Sequence, residues 1–200
     1  MVTKTYIYRD MVSGCEMFNV ANPHHLLPDN DAVFCVESRM MKENGDAIDV
    51  GGGDHFGGAA ADEAPLDDGE VTVNNIIATA GLVEVEFKKK GLVEWAKPYL
   101  ANVKSRLEKE KPDRVKAFME GAQAFVQKLI KEHSEYVFYV NADMNYEGAL
   151  AFARYEGEAT VPQFYFFRDG LGLFFPGGRE DSVEEGRVPD KIAMEQGCVV

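Results

Sequence analysis

The sequence predicts an α+β protein in which a mostly-β body carries one helical hairpin and one long acidic loop. Three observations carry this. Short runs rich in aromatic and β-branched residues recur along the 200-residue chain, several alternating apolar and polar as half-buried strands do. Between Lys88 and Ser134 the apolar residues instead recur at three- and four-residue steps, the spacing of a helix face. Residues 43–70 hold seven Gly and nine Asp or Glu in 28 positions. That composition buries too little apolar surface to offset its ordering entropy, so a mobile acidic loop is expected.

Taken in order, the expected strands are Thr5–Arg9, Ala32–Met41, Val71–Ala78, Leu82–Phe87, Tyr136–Val140, Gly148–Tyr155, Gln163–Arg168 and Leu171–Phe175. The alternation of Val83, Val85 and Phe87 with Glu84 and Glu86 is the cleanest. Leu92, Trp95, Ala96, Tyr99, Val103 and Leu107 mark the inner face of a first helix, and Val115, Phe118, Met119, Ala122, Phe125, Val126, Leu129 and Ile130 that of a second. Pro112 separates them and suits a first helical turn, where its missing N–H costs nothing. Asp113 favours the positive helix start. The two helices should form an antiparallel hairpin, with Pro98 kinking the first or delaying its start. One domain is expected over residues 1–175, followed by a loose tail over 176–200.

Composition narrows the function. The longest largely apolar stretch, Ile76 to Val83, holds eight residues, against the ~20 needed to span a bilayer. Residues 1–10 contain no apolar leader core. Three scattered cysteines, Cys15, Cys35 and Cys198, do not make a disulfide scaffold. A soluble, intracellular, monomeric protein is expected. A net charge of −13 argues against non-specific nucleic-acid binding.

No catalytic constellation emerges. Gly51-Gly52-Gly53 lacks a following Gly-Lys-Ser/Thr, and the acids after it would repel phosphate. His24 and His25 are adjacent, so their rings tend to diverge; without Cys-x-x-Cys or His-x-x-x-His spacing zinc is not expected. They are assigned to a surface loop between Pro23 and Pro28. Asp143 to Gly148 resembles the start of an EF-hand loop, but the closing acid would fall at Arg154, so a polar turn is the better account. Cys35 lies in an apolar run and reads as core. Cys198 is followed by only two residues, short of a prenylation box. No enzyme and no required cofactor are expected. Weak calcium binding by the acidic loop stays open, with the ligands unknown.

Charge is segregated along the chain. Between Lys42 and Lys88 no Lys or Arg occurs, while Asp and Glu occur eleven times; from Lys88 to Lys131 twelve basic residues face five acidic ones. Exposed lysines gain little from local pairing, so this polarity favours docking of the hairpin on an acidic partner. The candidates are Lys88, Lys89, Lys90, Lys97, Lys104, Arg106, Lys109, Lys111, Arg114 and Lys116.

Several stretches resemble the translationally controlled tumour protein family. They are Tyr8-Arg9-Asp10 with Ser13 and Glu16-Met17-Phe18, the run Leu107 to Met119 with Gly121-Ala122, Asn141 to Asn145, and Phe166 to Gly170. The resemblance covers about residues 6 to 171. It implies a tent- or barrel-like β core related to a small Rab-binding zinc protein but without the zinc cysteines, with a protruding α-hairpin and a long flexible loop. It also implies a cytoplasmic, non-enzymatic protein linked to calcium, tubulin and microtubule stabilisation, growth control and anti-apoptotic action. The tubulin role of the family falls on the lysine-rich helices, here about Lys88 to Lys131. Glu16 matches a family glutamate implicated in contacting a small GTPase of the Rheb type. The departures lie at Val50-Gly51-Gly52-Gly53, at Gly91 and Pro98, and after Phe175.

Overall fold

A computed structural model describes residues 6–42, 72–157 and 159–175. The expected acidic loop 43–70 and tail 176–200 lie outside the described residues. Eleven strands and three α-helices are present among them. Strands β1 (Ile7–Asp10) and β2 (Glu16–Asn19) form a hairpin, which β11 (Leu171–Phe174) extends to a three-stranded sheet in the order β11-β1-β2. The larger sheet holds β3 (His24–Leu27), β4 (Asn30–Glu37), β10 (Gln163–Phe167), β9 (Ala151–Arg154), β8 (Tyr136–Val140) and β7 (Val83–Val85), in that order. A small ladder joins β5 (Met40–Lys42) to β6 (Thr72–Asn74). Every ladder is antiparallel. The six-stranded sheet ends on β3 and β7, so it does not close into a barrel.

The helical hairpin is α2 (Lys89–Glu110) and α3 (Val115–Lys131), joined through a 3₁₀ turn that begins at Pro112. Its inner face belongs to the core. Leu92, Tyr99, Phe118, Phe125 and Leu129 are buried with Phe152, Phe164 and Phe167 of the sheet in one apolar cluster. Trp95 stacks on Tyr99 at 5.0 Å, and Phe125 meets Phe152 and Phe167 edge-on, both at 5.7 Å. Offset and edge-to-face contacts of this kind add to the area term because the ring edges are electropositive and the faces negative. Gly121, inside α3, permits the close approach: a Cβ there would lie 2.4 Å from Asn30 Oδ1 and 2.7 Å from Ala32 Cβ on β4. Asn30 Nδ2 then donates to the Gly121 carbonyl at 2.8 Å.

Several expectations are corrected. Val71–Ala78 is not one strand: β6 ends at Asn74, and α1 (Asn75–Ala80) follows. Asn74 Oδ1 accepts from the Ile76 and Ile77 amides, and Gly81 closes the helix in the left-handed region, so capping overrides the β-branched composition. His24 and His25 are in β3, not a surface loop, paired with Val36 and Cys35. Ala32–Met41 divides at Ser38-Arg39, where the Arg39 amide donates to Asn75 Oδ1. Pro98 does not delay α2, which starts nine residues earlier at Lys89. Pro98 is exposed, and the buried residues on both sides of it hold the helix together. The Asp143–Gly148 segment is a turn, as expected, with the Met144 amide donating to Asn141 O at 2.9 Å.

Candidate interaction surfaces

The orientation of each basic side chain follows from helical geometry, because each residue turns ~100° about the axis. Lys90, Lys97 and Lys104 are seven residues apart, so they drift only ~20° per step and form one stripe. That stripe is turned on average ~130° from the mean direction of Leu92, Trp95, Ala96, Tyr99, Val103 and Leu107, which α2 buries. All three lysines are exposed. Lys90 pairs with Glu94 at 3.6 Å and Lys104 with Glu108 at 3.5 Å. Lys116 on α3 does the same with Glu120, at 4.0 Å. Such exposed i,i+4 pairs contribute only ~0.3–0.5 kcal/mol each and weaken with salt. A docking carboxylate can displace them. Lys88, Lys89, Lys97 and Lys109 are exposed and make no ion pair among the described residues. Lys111 is exposed at the end of α2 and has a partner of its own.

Two of the ten candidates are placed differently. Arg114 is only a quarter exposed and bridges the hairpin turn to the β body. Its Nη2 donates to Asp169 at 2.8 Å and its Nη1 to Asp31 at 2.5 Å. Hydrogen bonding to Asp169 is the main reason that its pKa is raised further above the ordinary arginine value. A guanidinium fork held by two carboxylates fastens elements together. Arg106 turns toward the inner side of α2, pairs with Glu110 at 2.7 Å and lines a cavity beside β1 and β11.

Glu16 opens β2, opposite Arg9 of β1 in register. It is half-buried, and its carboxylate makes no hydrogen bond or ion pair among the described residues. The turn that presents it is fixed by Asp10, 1% exposed. The Asp10 carboxylate accepts from the Ser13 amide and hydroxyl at 2.7 and 2.5 Å, from the Ala149 amide at 3.0 Å and from the Tyr99 hydroxyl at 3.3 Å. Burial, and then the negative Asp10, raise the Tyr99 phenol well above its ordinary pKa. One carboxylate thus ties β1, its turn, α2 and the approach to β9 together. The Tyr-Arg-Asp and Ser13 pattern drew attention in the sequence, but nothing in it pointed to this junction, because its other partners lie about 90 and 139 residues away.

The two described thiols, Cys15 and Cys35, are not poised for nucleophilic chemistry. Burial pushes the Cys35 thiol up to about 11, and it donates to Gln163 Oε1 at 2.9 Å. Cys15 is also raised, mainly by burial. A reactive cysteine requires the opposite shift. Among the described residues no group of three or more His, Cys, Asp or Glu could hold a metal ion, and no helix is long and apolar enough to cross a membrane.

Comparison with known proteins agrees with this architecture. The family model described as translationally controlled tumour protein matches residues 5–172. The chain is 32% identical over 171 residues to the translationally-controlled tumor protein of Mus musculus, covering 84% of this chain and 97% of that one. It is 30% identical over 165 residues to the homolog of Kluyveromyces lactis, covering 82% and 96%. Among solved structures, the translationally controlled tumor-associated protein p23fyp of Schizosaccharomyces pombe matches with a TM-score of 0.65 and 28% identity, over 84% of this chain and 98% of that one. The open antiparallel sheets, the helical hairpin packed across them and this agreement along the described body make the chain a member of the translationally controlled tumour protein family.

Proposed function

We propose that the protein is a cytoplasmic interaction protein rather than an enzyme, and that the outer face of its hairpin docks on acidic protein surfaces such as the tails of tubulin in microtubules. The observation that supports this is the stripe of Lys90, Lys97 and Lys104, turned away from the core in a chain whose net charge is −13. Its acidic neighbours are held only by weak, exposed pairs, and tubulin association through these helices is what the family resemblance implies. Co-sedimentation with microtubules tests it. Binding should weaken steadily between ~50 and ~200 mM salt, as exposed charges are screened. The variant K97E/K104E/K109E should bind about threefold to a hundredfold more weakly, given ~0.2–1 kcal/mol per exposed charge contact at three positions. Undiminished, salt-independent binding by that variant would defeat the proposal.

A second reading is regulation of a small GTPase of the Rheb type through β2. It is favoured by Glu16, an accessible carboxylate without an intramolecular partner among the described residues. Glu16→Lys should abolish association with such a GTPase and leave thermal unfolding unchanged; retained association sinks the reading. Weak calcium uptake is assigned to the carboxylates of residues 43–70, and calorimetry on the full chain against a deletion of that segment should show uptake lost.

A further inference from the structure

A cavity of about 430 Å³ opens between the β1–β11 edge and the last turns of α2, within the size range of small-ligand sites. Arg9 and Arg106 line it from opposite elements, and Met11, Gly172, Leu173 and Phe174 supply an apolar wall. Arg9 lies over the Phe174 ring, with its guanidinium carbon 3.7 Å from the ring centroid. Its Nε is buried and has no hydrogen-bond partner among the described residues. Glu16 faces it across the ladder, yet the two form no ion pair. Arg106 gives only its Nε edge to Glu110, so its terminal nitrogens are unpaired among the described residues. Asp10, which also borders the cavity, is already occupied by four donors. A planar fork stacked on an aromatic ring is pre-organised for an oxyanion at its terminal nitrogens.

We propose that this cavity binds a small organic anion: a carboxylate or phosphate head held by Arg9 and Arg106, with an apolar body against Met11, Leu173 and Phe174. The shared requirement is a planar or tetrahedral oxyanion able to accept from two guanidinium groups. Gly172 keeps the wall close, since a Cβ there would meet Met11 Sδ at 2.0 Å. The site differs from the outer lysine stripe, which faces the opposite side of α2.

Nuclear magnetic resonance titration of the full chain tests this with phenyl phosphate, 3-phenylpropionate, inorganic phosphate and uncharged benzyl alcohol. Phenyl phosphate or 3-phenylpropionate should shift the Met11 methyl, the Gly172 amide and the Arg9 Nε–H, and the tighter of the two assigns the head group. Inorganic phosphate should bind at least about fivefold more weakly than the better aryl anion, because it lacks the apolar body. Arg106→Gln should weaken that anion by at least about fivefold and leave distant resonances in place. Arg9→Lys should weaken it too, since an ammonium cannot replace the fork. If Arg9→Lys fails to fold, Arg106→Gln decides. The proposal is overturned if no aryl anion shifts these resonances at about 10 mM, a concentration that would reveal millimolar binding. It is equally overturned if benzyl alcohol binds as tightly, or if Arg106→Gln binds the anion unchanged.

Discussion

On α2, Trp95 and Tyr99 are 6% and 1% exposed and stack on one another, whereas Lys97 between them in sequence is exposed on the opposite side. The inner face of the hairpin is also anchored by polar contacts of long sequence separation: Trp95 Nε1 donates to Gly148 O at 3.0 Å, and Tyr99 reaches Asp10. Lys90, Lys104 and Lys116 on the outer face pair with an acid of their own helix, one turn away. This contrast separates the residues that hold the fold from those that the proposed docking would use. Residues of the inner face cannot change without disturbing the fold, while those of the outer face can change charge at little cost.

The sharpest way to break the contrast is to cut the inner face. Phe125→Ala removes a ring that touches Tyr136, Phe152, Tyr165 and Phe167, and should lower unfolding stability in denaturant by ~3–5 kcal/mol. A loss below ~1 kcal/mol would show that the helix–sheet seam is not well packed. Gly121→Ala sets two effects against each other. Helix propensity gains at most ~1 kcal/mol, but the new methyl enters a 2.4 Å gap to Asn30, and overpacking costs ~1–3 kcal/mol. Net destabilisation is expected, read as a lower denaturation midpoint; a more stable variant would mean that β4 yields freely.

A smaller effect concerns pH. The folded pKa of Cys35 is raised to about 11 from an ordinary value near 9, so folding holds its proton more tightly. The resulting stability is fully present below pH 9 and is lost as pH rises toward 11. Cys35→Ala should flatten that stretch of the stability–pH curve by an amount on the order of 1–2 kcal/mol, measured against wild type to remove the tyrosine contribution. Identical slopes would place the thiol in water. Least of all, Lys97→Glu should change stability by under ~0.5 kcal/mol, as exposed substitutions usually do. A larger loss would mean that the outer face also supports the fold.

The two stripes of the hairpin were legible because a helix repeats every 3.6 residues, so inner and outer residues separate without knowledge of any partner. The strands from Tyr136 onward were legible for a similar reason, through dense aromatic and aliphatic runs. Other segments misled. Ile76 and Ile77 carry a strand-like composition, but Asn74 and Gly81 cap them as a helix. Glu16–Asn19 is too short to show an alternation, and it becomes a strand only by pairing with β1. Arg114 looked like one more surface cation until Asp31 and Asp169 came within reach from two other elements.

By itself, the sequence determined the class of the fold, the amphipathic hairpin and the segregation of charge, since each depends on periodicity or composition within a few turns of chain. Packing alone settles that Arg114 bolts the hairpin turn to the body, why Gly121 sits inside a helix, and that Arg9 and Arg106 line one cavity. Those outcomes depend on distances between residues far apart in the chain, and such distances are set by packing.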